Sequence, residues 1–157
     1  MTRKVYLCGP IDGVSPKWAT KWRKQATEHL GKHGIKTLDP TSGKDLKMPG
    51  VNDHVYSPEE IVTADLAAID KADIILVDWR KLPFLRRAWN FIRTGHSDPL
   101  RVGSIMEIKY ARMKGKMIVS FGTMRTGYWF RHHVDYPFST LDGALSFIRR
   151  VVSFEER

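Results

Sequence analysis

The sequence predicts an α/β fold: a parallel sheet covered by helices on both faces. Two observations predict it. Short apolar runs, "KVYLCG", "DIILVDW" and "KMIVSFG", have the length of strands buried on both faces. Between them lie segments whose apolar residues recur at helical spacing. Strands alternating with helices give a parallel sheet with layered helices.

The elements follow in order. Lys4–Gly9 is the first strand, closed by Gly9-Pro10. A helix spans Ser15–Lys32, with Pro16 at its start and Trp18, Trp22, Ala26 and Leu30 in register. "GIKTLDP" gives a second short strand, and Thr41–Tyr56 reads as a polar loop. The next helix opens at Ser57 as N-cap, Pro58 as first helical residue and Glu60 as the reciprocal capping acid. Asp73–Trp79 is a buried strand, and Asp73 ends the turn before it. Residues 80–100 are an insertion, amphipathic in the middle. Gly103–Gly115 is a helix and Lys116–Gly122 a strand. "TMRTGYWFRHHVDYP" reads as a mobile connection. A last helix carries Leu141, Ala144, Leu145 and Ile148 on one stripe. No repeat and no linker interrupts the 157 residues, so the chain reads as one domain.

Composition bounds the function. Apolar and charged fractions are those of a soluble globular protein. No apolar run approaches the ~20 residues of a membrane span. The opening lacks a signal-peptide layout, and the lone Cys8 cannot form an internal disulfide, which together place the chain in the cytoplasm. Cys8 lies in an apolar run and reads as a buried core thiol rather than a nucleophile. The net charge of +9 is compatible with nucleic acid, a small anionic substrate or a solvated surface. The basic, aromatic "WRKLPFLRRAWNFIR" has no recognised nucleic-acid motif with it, so nucleic acid is the less favoured partner.

In a parallel sheet, ligands bind beyond the carboxyl ends of the strands. This selects Gly9, Pro10, Ile11, Asp12 and Gly13 after the first strand, Asp39 after the second, Asp78 and Trp79 after the third, and Gly122 onward after the fourth. "CGPIDG" is neither a dinucleotide fingerprint nor a P-loop. It is a tight turn, with or without backbone N–H groups facing a ligand. Asp65 shares the inward stripe of its helix with Ile61 and Ile69. A carboxylate there needs a partner or a task. Glu107 has two readings. Ser104-x-x-Glu107 has capping-box spacing. A carboxylate in a first helical turn is also held ionised by the macrodipole, which suits a nucleophile. His132 and His133 are adjacent and face apart on any regular element, and no metal-ligand spacing is present.

"KVYLCGPIDG", "ADLAAIDKADIILVDW" and "VGSIMEIKYARMKGKMIVSFG" together resemble the nucleoside 2-deoxyribosyltransferase family, which includes the related 2'-deoxynucleoside 5'-monophosphate N-hydrolases. The residues that carry the resemblance are Tyr6, Asp65, Gly103, Ser104, Glu107, Ala111, Gly115 and Lys116. It covers the frame of most of the chain and is weakest in Thr41–Tyr56 and Arg80–Leu100. It implies a flavodoxin- or Rossmann-like three-layer fold with a parallel sheet of four to five strands.

The resemblance also implies a reaction. Glu107 attacks C1' of a 2'-deoxynucleoside and gives a covalent deoxyribosyl-enzyme, from which a second nucleobase collects the sugar. Water as acceptor, with a 5'-monophosphate as substrate, is the alternative, and a noncatalytic nucleotide or nucleic-acid binding module a third reading. Tyr6 would orient Glu107. Asp65 would bind the sugar hydroxyl or help protonate the leaving base. Gly9–Gly13, Asp78, Gly103 and Ser104 would line the substrate. Arg131, His132 and His133 would reach a neighbouring subunit's site, making the protein a homodimer or a larger homo-oligomer. No cofactor and no metal is implied, and the partners are a nucleoside or nucleotide and a free nucleobase.

Two positions depart from the family. Arg101 stands where many deoxyribosyltransferases carry an Asp six residues before the nucleophile, with Asp78 or Asp98 as possible replacements. Asp12 stands where the monophosphate hydrolases carry an arginine. The first suits a phosphate or a base carbonyl, the second a nucleoside.

Overall fold

The computed structural model describes residues 2–11, 14–43, 57–81, 84, 87–88, 91–92, 101–122 and 127–155. Asp12, Gly13, Asp98 and most of the segments 41–56 and 80–100 lie outside these residues. Five strands, β1 (Lys4–Cys8), β2 (Lys36–Leu38), β3 (Ile74–Asp78), β4 (Met117–Phe121) and β5 (Tyr136–Phe138), form one sheet in the order β2-β1-β3-β4-β5. Every pairing is parallel. This is the flavodoxin-like order. Five helices are delimited by the described residues: α1 (Pro16–Gly31), α2 (Pro58–Lys71), α3 (Val102–Met113), α4 (Tyr128–His133) and α5 (Leu141–Glu155); Phe84, Arg87, Ala88, Phe91 and Ile92 are also helical. No helix among the described residues is long and apolar enough to cross a membrane.

Strand alternation divides the core. Val5, Leu7, Ile74, Leu76, Val119 and Phe121 face α1 and α5, where Trp22, Ala26, Leu30, Leu145 and Ile148 meet them. Tyr6, Cys8, Ile75, Val77 and Ile118 face the other way, onto Ile69 of α2 and Ile108 and Ala111 of α3. The three central strands are therefore covered on both faces, as their unbroken apolar runs require.

The start of α2 is as its sequence predicts. The Ser57 hydroxyl accepts from Glu60 N (3.1 Å), and Glu60 Oε2 accepts from Ser57 N (2.7 Å). Asp73 does more than end a turn: Oδ2 accepts the Lys4 amide at 2.8 Å and Oδ1 pairs with Arg3 at 3.1 Å, which registers β1 against β3.

Three expectations are corrected. The described part of the expected mobile connection after β4 is structured: Tyr128–His133 is helical and Tyr136–Phe138 is a strand. Pro137 disguised that strand, but β5 is an edge, where a missing N–H is tolerated. The stripe expected on α2 is buried only at its end. Ile69 is fully buried, whereas Ile61 is 38% exposed and Ala64 lies open. The helix runs back against the strands, so its first half stands at the carboxyl edge of the sheet. Third, Ser104 does not cap α3. Ile105 N donates to Arg101 O (2.8 Å), so the helix begins a turn earlier and Ser104 is its third residue.

Gly122 holds two strand exits together. Its φ is +118°, and a Cβ there would fall 2.5 Å from Arg80 N and 2.6 Å from the Trp79 carbonyl carbon. Gly122→Ala should lower stability by about 2 kcal/mol or more, read as a fall in the urea midpoint at unchanged slope.

Candidate functional site

At the carboxyl edge, β1 ends between α2 and α3. Tyr6 and Cys8 point from β1 to the α3 side. Ser104, Ile108 and Ala111 form the buried face of α3. Glu107 shares that face, three residues after Ser104 and four before Ala111. It is half-buried and sits in the second turn of α3. The macrodipole fades within the first turn, so it does not hold Glu107 ionised.

The electrostatics run the other way from the sequence expectation. Burial pushes the Glu107 carboxyl up to about 7, opposed by hydrogen bonding from Cys8, and the Asp65 carboxylate raises it further. Arg23 and Tyr6 pull it back down. Burial drives the Tyr6 hydroxyl far above its usual range, with the negative charge near it, Glu107 first, adding to the rise. Burial, then Glu107, raises the Cys8 thiol in the same way. Both groups therefore keep their protons. The thiol donates to Ser104 O at 3.8 Å, with Glu107 within its reach. The Tyr6 hydroxyl is buried and closes no hydrogen bond of full geometry among the described residues, although it lies near enough to Glu107 to act on its ionisation. Asp65, half-buried on α2, is felt by both Tyr6 and Glu107. The structure thus brings Tyr6, Asp65 and Glu107 together.

The exit of β3 is built on two arginines. Asp78 is fully buried, and its carboxylate is committed to Arg80: Oδ1 accepts from Arg80 Nε (2.9 Å) and N (3.0 Å), and Oδ2 from Nη2 (2.8 Å). The Arg80 guanidinium lies over the Trp18 and Phe121 rings at 4.5 and 5.3 Å. Arg101 donates to the carbonyls of Asp78 (2.7 Å) and Arg80 (2.5 Å) and stacks on Trp79 at 4.8 Å. Asp78 therefore holds Arg80 rather than standing in for the carboxylate that Arg101 replaces. Gly9 is half-buried, Pro10 buried and Ile11 half-buried on the turn after β1. Gly103 is exposed at the start of α3.

Arg131 and His132 are exposed on α4, while His133 is buried. The two imidazoles do not face apart: they meet edge to face at 5.1 Å. His133 lines an apolar cavity of about 460 Å³ with Trp79, Ile105, Met106, Lys109 and Phe130. Glu107, Tyr6 and Asp65 do not line that cavity. The convergence of perturbed groups on Glu107 is the stronger argument. Among the described residues no group of three or more His, Cys, Asp or Glu side chains is arranged to hold a metal ion.

Sequence reasoning missed Arg23. It is fully buried and donates from Nε to Leu7 O (3.3 Å), Nη1 to Ala19 O (2.5 Å) and Nη2 to Gly9 O (2.9 Å). The signal was present: Arg23 falls on the Ala19, Trp22, Ala26, Leu30 stripe, where a charge is as anomalous as Asp65 is on α2.

No protein-family model matches the chain, and neither does any curated protein sequence. Solved structures do match its fold. A 2-desoxiribosyltransferase from Leishmania mexicana superposes with a TM-score of 0.63 at 15% identity, covering 94% of this chain and 97% of that one. A CMP N-glycosidase from Clostridium botulinum gives 0.58 at 16% identity, over 93% and 98%. A 2-deoxyribosyltransferase from Bacillus psychrosaccharolyticus gives 0.59 at 18% identity, over 89% and 88%. The chain shares with these proteins a three-layer α/β fold around a five-stranded parallel sheet.

A raised carboxyl pKa is also a statement about stability. The folded state binds the Glu107 proton more tightly than the unfolded chain, whose value is the ordinary 4.5. That stabilisation is complete below pH 4.5 and is lost as pH rises through about 7. Glu107→Gln, which cannot ionise, should therefore match the wild type in acid. Above pH 7 it should exceed the wild type by up to about 3 kcal/mol, seen as a higher Tm that grows with pH.

Proposed function

We propose that the protein cleaves the N-glycosidic bond of a 2'-deoxynucleoside through a covalent deoxyribosyl-Glu107 intermediate and passes the sugar to a second nucleobase. The observation that carries this reading is Glu107 itself, a half-buried carboxylate at the carboxyl edge with protonated Tyr6 and Cys8 beside it and Asp65 opposite. The resemblance of its flanking motifs to the deoxyribosyltransferases, and the likeness of the fold to two such enzymes and an N-glycosidase, support it.

In the first half-reaction a Glu107 oxygen bonds to C1' as the C1'–N bond breaks, and the base leaves with its electron pair and gains a proton. In the second, a nitrogen of the incoming base attacks C1' and Glu107 is released, so configuration is retained. Tyr6 donates to Glu107 and turns the other oxygen toward C1'. Asp65 accepts from the sugar hydroxyl or supplies the proton to the leaving base. Gly9–Gly13, Gly103 and Ser104 flank the sugar, with Asp78 and Arg101 shaping the base end. The nucleophile must be ionised, so kcat/KM should fall about tenfold per pH unit below about 7.

Mass spectrometry after incubation with a 2-fluoro-2-deoxynucleoside should find the fluorosugar on Glu107, and Glu107→Ala should abolish turnover with the fold intact. Exchange of the base of a deoxynucleoside in the presence of a second free base is the expected product pattern. Free base alone, with or without acceptor, would replace transfer by hydrolysis. The uncapped first turn of α3 favours a 5'-monophosphate as the substrate for that second reading, and the same assay on the nucleotide decides it.

The α3 face opposite Glu107 supports a homo-oligomer. Val102, Ile105, Met106 and Met113 form one helical stripe, each more than half exposed. A dimer across α3 would place Arg131, His132 and His133 of α4 near the partner's site. The wild type should sediment as a dimer or larger at assay concentration and Ile105→Glu as a monomer. A monomeric wild type would refute the assembly.

A further inference from the structure

We propose that Arg23 is a positioning residue for Glu107: from the opposite face of the sheet it fixes the turn after β1 and sets the charge under which Glu107 ionises. The inference rests on the Glu107-centred reading above but reaches a residue outside it.

Arg23 belongs to the α1 face, and Glu107 to the α3 face. The guanidinium nevertheless reaches the strand end, because it takes the carbonyls of both Leu7 and Gly9. Those residues bracket Cys8, the donor to Ser104 O, and Tyr6 precedes them. Gly9 leaves no slack. A Cβ there would lie 3.0 Å from Asp78 Cβ, 3.0 Å from the Trp22 ring and 3.5 Å from Arg23 Nη2. Asp78 and the Trp22 ring are thus the tight walls of the β1 turn, and the guanidinium holds its carbonyls from beside them.

Its charge is only partly offset. Arg23 is fully buried, and its closest acid is Asp39, with Nε–Oδ1 at 3.6 Å. That carboxylate is shared with Thr41 N (2.8 Å) and Oγ1 (2.7 Å). Asp78, the other acid on this side, is bound to Arg80. Among the described residues the groups that act on Glu107 are Tyr6 and Cys8 from β1, Asp65 from α2 and Arg23 from α1, while the Asp78–Arg80 pair holds the β3 exit. Arg23 is the cation among them with no bidentate carboxylate partner, and its field lowers the Glu107 pKa against the effects of burial and Asp65.

The test reads Glu107 directly, by carbon NMR titration of its side-chain carboxyl in the intact protein, with Glu107→Gln assigning the signal. Arg23→Gln removes the charge and should raise the Glu107 midpoint. Arg23→Lys keeps the charge and should leave the midpoint near the wild-type value while lowering Tm. Asp39→Asn keeps an oxygen for Thr41 but removes the acid beside Arg23, and should lower the midpoint. If Arg23→Gln does not fold, the downward shift in Asp39→Asn still carries the inference. A midpoint that moves in neither Arg23→Gln nor Asp39→Asn overturns it. The titration needs no substrate, so a protein that exchanges no base leaves this result standing, and an active protein with an unmoved midpoint refutes this inference alone.

Discussion

A carboxylate withdrawn from water at the end of a parallel sheet costs free energy, and the surroundings of Glu107 are organised around that cost. Burial raises its pKa to about 7. What keeps the ionised form within reach of neutral pH is a set of donors and one cation, drawn from different layers of the fold. Tyr6 and Cys8 stay neutral beside it because burial has removed their own tendency to ionise. Arg23 contributes charge from behind the sheet. Asp65 opposes them from α2. Such opposing demands are met only if β1, α1, α2 and α3 keep their relative positions. The central strands, apolar on both faces, give that rigidity.

The sheet was legible because its signal is redundant. Three apolar runs, each too short for a helix and too unbroken for a half-exposed strand, admit one reading. The Ser57 cap was equally legible, since its partners are three residues apart. Less was visible where long-range contacts decide. Ser104 and Glu107 have capping-box spacing, yet Arg101 starts the helix earlier because it is tied to the Asp78 and Arg80 carbonyls across the sheet end. β5 was hidden by Pro137, whose disfavour for strands lapses at an edge.

At the site, Tyr6, Asp65 and Glu107 were found through the strand-end rule and through resemblance, but their electrostatics were not. A local rule, the macrodipole, pointed to a lowered pKa. The tertiary burial of α3 against β1 pointed the other way and was larger. Arg23 was overlooked because Trp22 beside it accounted for the apolar stripe. Fold likeness at 15 to 18% identity reaches no further than architecture. The reaction has to be argued from Glu107 and its neighbours.

Among the described residues, the groups that act on Glu107 come from regular elements other than its own α3: Tyr6 and Cys8 from β1, Arg23 from α1 and Asp65 from α2. A charge balance assembled from four separate elements is brittle. A shift of any one of them is felt at Glu107, so selection on this framework is strict.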